Sequence, residues 1–188
     1  MTDIEEYIKM YFYGNMEELK QISSFFRLIT LKKGEFFQRE GWYSDKLGFV
    51  KSGILREHTT VNNKEITKWI ASKGHFVVDI SGFIFQQPAK WDLQAVTDCE
   101  IYVLDKSDYL KIKETIPGWD EVEKKIIVAC FHVLEDRVMN HISMSAEERY
   151  SHFFHANKEL FNQVPLHYIA SMLGMTPETL SRLRNKTT

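Results

Sequence analysis

The sequence predicts an α+β protein: short helices, an antiparallel β-roll, one long helix, and a small helical unit ending in a helix-turn-helix. Three observations predict it. Residues 28–104 fall into short β-rich runs broken by Gly, Asn and Asp; an unbroken helical pattern occupies 119–142; and two short helical patterns meet at Gly174. With 188 residues, 44% hydrophobic and 13% aromatic, the chain has ample material for packed cores, and disorder is not indicated.

At the N-terminus, residues 3–12 read as a helix with Ile4, Tyr7, Ile8 and Tyr11 on one side, stopped by Gly14. Asn15 followed by Glu18 has the form of a capping box, and Leu19, Ile22 and Phe26 continue a second helix. The β-rich runs are 36–37, 47–50, 54–61, 66–71, 76–80, 93–96 and 101–104, with turns at Lys33-Gly34, Ser52-Gly53, Asn62-Asn63 and Lys73-Gly74. A spacing of roughly ten residues between short strands predicts a sandwich or barrel. Ser107 is placed to cap a short helix carrying Tyr109, Leu110 and Ile112, which Pro117 ends.

The long helix over 119–142, about 35 Å at 1.5 Å per residue, carries two apolar stripes. Val122, Ile126, Ala129 and Val133 form one; Ile127, Cys130, Leu134 and Val138 form the other. One stripe is enough to seat a helix on its own domain. The second has coiled-coil spacing and predicts a partner helix, most simply that of a second copy, with Ile126, Ile127, Cys130, Val133, Leu134 and Val138 at the interface. Residues 143–146 interrupt the pattern, and Ser145 with Glu148 forms another capping box. The expected division is 1–118, the β-roll with its N-terminal helices; 119–142, the dimerisation helix; and 143–188, the terminal helical domain.

Within 143–188, Tyr150, Phe153, Phe154 and Leu160 supply the core of a supporting helix. Pro165 opens the next helix, because the first helical position needs no amide donor, and Ile169, Ala170 and Leu173 share one face. Gly174 stops it. Thr176 and Pro177 start another as N-cap and first-turn residue; Leu180 and Leu183 face inward, leaving Glu178, Thr179, Arg182 and Lys186 outward. Small Ala170 permits the close approach of two crossing helices. An ordinary helical hairpin that binds nothing would share part of this pattern, but Gly174 together with apolar residues at 169, 170, 173, 175, 180 and 183 fits a DNA-binding helix-turn-helix as a set. Glu178 and Arg182, four apart, can reach base edges, whereas Thr176, Thr179, Ser181 and Lys186 are better placed for phosphates.

The net charge of −2 says nothing in favour of nucleic acid, but from Thr176 onward there are three basic residues against one acidic. Two cysteines, Cys99 and Cys130, are too few for a disulfide framework, an iron–sulfur cluster or a four-cysteine zinc site, and fit a reducing cytoplasm. A metal or haem site would need His58, His75 or another of the seven histidines to converge with partners, and no ligand-spaced pair stands out; His152 and His155, three apart, could share a helix face but read as solvated or core-edge residues on a supporting helix. No cofactor, metal site or catalytic set is expected, and an enzyme of the double-stranded β-helix type would need a His/carboxylate set that cannot be assembled. The acidic start, MTDIEEYIKM, is unlike an export signal, and no run of about 18 apolar residues predicts a membrane span.

The order of parts resembles the Crp/Fnr family of bacterial transcription regulators. Specific echoes are Lys33-Gly34-Glu35, Gly41, the segment from Phe49 to Arg56, and above all 169–184. The resemblance implies a cyclic-nucleotide-binding-like β-roll, a dimerising long helix and a winged-helix-like terminal domain whose second helix enters the major groove. It implies as partners double-stranded DNA, a second copy of the chain, RNA polymerase, and an unidentified small-molecule effector or none. It puts base-reading roles on Glu178 and Arg182, and Pro177 where an Arg often reads a base. Relatives that bind cyclic nucleotide carry Gly-Glu and, some ten residues on, Arg-Ser; here Val78 and Asp79, then Ala89 and Lys90, occupy those places. The expectation is a degenerate effector pocket that ignores cyclic AMP and cyclic GMP; Phe76, Phe83, Phe85 and Trp91 would make it apolar enough for a different, less charged effector or would simply fill it, and filling is favoured because bulky side chains crowd where small residues are expected. The competing reading is a ligand-binding or protein-interaction module without DNA binding.

Overall fold

A computed structural model describes residues 1–10 and 14–187. Helix α1 (Asp3–Lys9) and helix α2 (Met16–Ser24) lead into strand β1 (Arg27–Leu31). The predicted turns then separate β2 (Phe36–Gln38), β3 (Lys46–Ser52), β4 (Leu55–Val61), β5 (Lys64–Ala71) and β6 (Phe76–Val77). A short helix α3 (Ile80–Phe85) precedes β7 (Asp92–Ala95) and β8 (Cys99–Asp105). Helices α4 (Lys106–Thr115), α5 (Trp119–Ser143), α6 (Ala146–Ala156), α7 (Leu160–Gln163), α8 (Leu166–Met172) and α9 (Pro177–Thr187) complete the described chain.

Two four-stranded antiparallel sheets, ordered β1-β8-β3-β6 and β2-β7-β4-β5, face each other as a roll. Period-two alternation sends Val50, Leu55, Leu93, Ala95, Ile101 and Val103 into the space between them. The β4/β5 hairpin turns on Asn62 and Asn63, both at positive φ as a two-residue turn requires. Gly53 is irreplaceable for a different reason: a Cβ there would lie 2.3 Å from the Asp98 carbonyl.

Several expectations shift by local chemistry. Tyr11 lies outside the described residues, and α1 is described to Lys9. β1 was not among the predicted strands; its pattern is mostly exposed, and it is held as an edge strand by pairing with β8. Ser107 does not cap α4: the cap position is Asp105, whose carboxylate is instead held by Arg27 at 2.9 Å. The run 76–80 is a strand only to Val77, because Asp79 caps α3. The capping boxes at Asn15/Glu18 and Ser145/Glu148 form as read.

Three cores result. One packs α1, α2, α4 and the start of α5 against the β-roll through Ile22, Phe49, Leu104, Ile112 and Trp119; a second lies inside the roll. The third gathers Tyr150, Phe161, Ile169, Leu173, Leu180 and Leu183, and Ile54, Ile70 and Val96 of the roll join it. The terminal helices are therefore seated on the outer face of β4 and β5.

Candidate functional site

Helices α8 and α9 cross with Ile169, Ala170 and Leu180 fully buried. Gly174 takes φ 67° at the turn, and the Thr176 hydroxyl accepts the Thr179 amide at 3.2 Å, so Thr176 caps α9. With the apolar stripe turned inward, Pro177, Glu178, Ser181, Arg182, Asn185 and Lys186 line one open, exposed face. Of the predicted set, Thr179 is half-buried and its hydroxyl lies 3.2 Å from that of Thr176, while Lys186 makes an exposed ion pair with Glu147 at 3.7 Å. The Glu178 carboxyl is held below its ordinary range by its own amide and the Thr176 hydroxyl, and is ionised at neutral pH. Asn185 completes the face; its i, i+3 and i+4 relation to Arg182 and Ser181 was the available signal.

Val78, Asp79, Ala89 and Lys90, expected to form a degenerate effector pocket, fall together, but Asp79 itself occupies the amides there. Asp79 is buried; its carboxylate accepts the Gly82 amide at 2.8 Å, the Ser81 hydroxyl at 2.9 Å and the Lys90 amide at 2.8 Å. Burial works against its charge, yet these donors outweigh it and hold the carboxyl below its usual value. The protein's own anion thus takes the amides of this segment. Ala89 is buried beside it, Val78 is half-buried, and the Lys90 side chain is exposed.

The aromatic filling expected for the roll does not occur. Phe83 lines a separate apolar pocket of about 60 Å³ between the β-roll, α3, α4 and α5, and Phe85 is 69% exposed. A cavity of about 450 Å³ remains between the roll and α5, lined by Glu57, Lys68, Trp69, Val78, Cys130 and Arg137 among others, with Phe76 at its edge. Lys68 pairs with Glu57 at 2.7 Å and stands 4.8 Å from the centre of the Trp91 ring. Burial pushes the Glu57 carboxyl up, against the pull of Lys68. Sequence reasoning missed Glu57, Lys68 and Arg137: charged residues on β4, β5 and α5 read as solvent-facing until the sheets close and α5 is laid against them.

Helix α5 divides its stripes. Val122 is buried and Ile126, expected at a partner interface, packs on the N-terminal core of its own chain. Farther along, Val128, Phe131, Leu134, Val138, Met139 and Ile142 are between 49% and 74% exposed, joined by Ile127 and Val133, with Cys130 half-buried. Monomeric proteins rarely leave so continuous an apolar strip in water. Among the described residues no cluster of three metal-ligating side chains forms, and no helix is long and apolar enough to cross a membrane.

Residues 28–115 match the model of the cyclic nucleotide-binding domain. The whole fold is similar to that of the catabolite activator protein of Thermus thermophilus, with 22% identity over 94% of this chain and 85% of that one and a TM-score of 0.59. It is similar to CLP of Xanthomonas campestris, described as a c-di-GMP responsive global regulator of virulence gene expression, with 16% identity over 92% and 91% and a TM-score of 0.69. The regulatory domain of Toxoplasma gondii PKA, solved with cAMP, is similar over only 58% of this chain and 43% of its own, with 16% identity and a TM-score of 0.53. No curated protein matches the sequence.

Proposed function

We propose that this chain, which carries a cyclic nucleotide-binding domain within the fold of the Crp/Fnr regulators, is a homodimeric, sequence-specific DNA-binding transcription regulator. The observation that carries this reading is the outer face of α9. Glu178, Ser181, Arg182, Asn185 and Lys186 project from a helix whose opposite face is locked against α8. Arg182 and Glu178 read base edges; Thr176, Pro177, Thr179 and Ser181 pack or bond along the backbone, and Lys186 exchanges its weak surface pair with Glu147 for phosphate. Dimerisation through α5 sets two such helices about 34 Å apart, one turn of DNA. The unit over 1–118 senses, 119–142 joins the copies, and 143–188 binds DNA in the cytoplasm; none of these roles requires catalysis.

Selection of bound sequences from random duplex DNA tests the reading, and a near-palindromic site should emerge. Arg182→Ala should cost about 1–3 kcal/mol on the selected site and relax preference at one position, while Lys186→Ala should weaken all sequences alike. Equal losses on selected and random DNA would sink the division of roles, and no salt-dependent binding at all would favour an interaction module instead.

The same reading denies the roll a response to cyclic AMP or cyclic GMP. A buried cyclic phosphate needs a cation and free amide donors, whereas Ala89 supplies no charge and the Asp79 carboxylate already holds the Gly82 and Lys90 amides. Saturable binding of cyclic AMP at micromolar concentration, followed by tryptophan fluorescence, would overturn this part.

A further inference from the structure

A second cavity, of about 390 Å³, opens where the roll, the end of α5, α6 and α8 meet. Its size falls in the range of small-molecule sites. Trp69 and Phe153 give it apolar walls, and Arg137 and Arg149 give it charge. Arg137 donates to the Lys68 carbonyl and, at 3.2 Å, to that of Met172; Arg149 donates to the Leu173 carbonyl at 3.0 Å and to that of Met144 at 2.7 Å. Those four bonds leave each guanidinium three further N–H groups. Among the described residues neither guanidinium pairs with a carboxylate, and the one acidic residue lining the cavity, Asp136, is turned to solvent beside His132.

Two half-buried cations with spare donors and aromatic walls suit an anion; the carboxylate that acts on Arg137 from the adjoining cavity, Glu57, is itself paired with Lys68 at 2.7 Å. We infer that this cleft binds a small aromatic oxyanion, its carboxylate or phosphate held by Arg137 and Arg149 and its ring against Trp69 and Phe153. The planar forks of two arginines match such groups in a way that lysines would not. Because Arg137 also lines the cavity between the roll and α5 and tethers the C-terminal end of α8, an anion that draws it away from the Met172 carbonyl changes how α8 is held. The effect on DNA rests on the regulator reading; the binding does not.

Calorimetric titration of the full chain with benzoate and with phenyl phosphate, and with benzyl alcohol as the neutral control, tests the site in the absence of DNA. The expected result is saturable binding of at least one anion, none of the alcohol, and about a tenfold weaker affinity in Arg149→Gln, the loss of one charge-assisted pair. Melting curves establish that the variant is folded. If it is not, Arg149→Lys, which keeps the charge and loses the fork, takes its place and should also bind more weakly. Anion affinity no better than that of the alcohol, or unchanged in the folded arginine variant, overturns the proposal. Anion binding without any DNA binding would sink the regulator reading alone.

Discussion

Asp79 shows how one buried carboxylate can serve as a structural joint. It caps α3 and ties it to the amide of Lys90, eleven residues on. Asp79→Ala should destabilise the fold by about 1–3 kcal/mol at neutral pH, because the buried Gly82 amide and the partly buried Lys90 amide lose their acceptor. The carboxyl is held low in the folded state, so its contribution is present above the ordinary value of about 4 and is lost as pH falls through and below it. Urea denaturation of wild type and variant should therefore show a stability gap at pH near 7 that narrows towards pH about 3. A gap that stays constant across that range would mean the carboxylate's charge is not what the joint uses.

Among the elements, α5 has the most to explain. Its first turns are anchored by Trp119, Val122 and Ile126, whereas the large apolar side chains of the strip from Val128 to Ile142 stay about half exposed or more among the described residues. Burying that strip against its own copy removes several large side chains from water, each contributing about 1.5–3 kcal/mol when fully covered. Leu134→Asp sets a charge in the middle of the strip and should yield a monomer, read by sedimentation equilibrium at micromolar protein. A charge at Leu110, 45% exposed against 51% for Leu134 but on α4, should leave the mass unchanged. Dissociation in both variants, or in neither, would argue against α5 as the joining element.

For the whole molecule, the decisive contact is the seat of the terminal helices on the roll. Arg56, fully buried, stacks on the Tyr168 ring at 3.7 Å, donates to Thr67 at 2.9 Å and pairs with Glu65. The Thr67 amide donates to the Ser171 hydroxyl of α8 at 2.9 Å. Arg56→Met keeps the apolar stem and deletes the cation over the ring, a loss of about 2 kcal/mol for a desolvated pair. Hydrogen exchange should then quicken at Thr67 and in α8 by about tenfold or more, while β3 and β8 stay protected. Uniform loss of protection would mean that Arg56 supports the entire fold and not this seat.

Much of this protein can be read along the chain. Turn glycines and asparagines, capping boxes at Asn15 and Ser145, the stripes of α5, and the Gly174-Thr176-Pro177 punctuation of the terminal helices all act within a few residues, where propensity and periodicity operate. Tertiary structure alone decided the rest. β1 is a strand because β8 lies beside it; Ile126 faces inward because α4 and the roll are there to meet it; Asp79 is a cap because the chain returns Lys90 to it. Above all, the two cavities beside α5 were invisible in sequence order. Glu57, Lys68, Trp69 and Arg137 are separated by up to eighty positions, and closing the sheets and laying α5 across them brings their charges into one low-dielectric space. Local patterns set which elements form; only the long-range packing of those elements determines which polar groups end up facing each other without water between them.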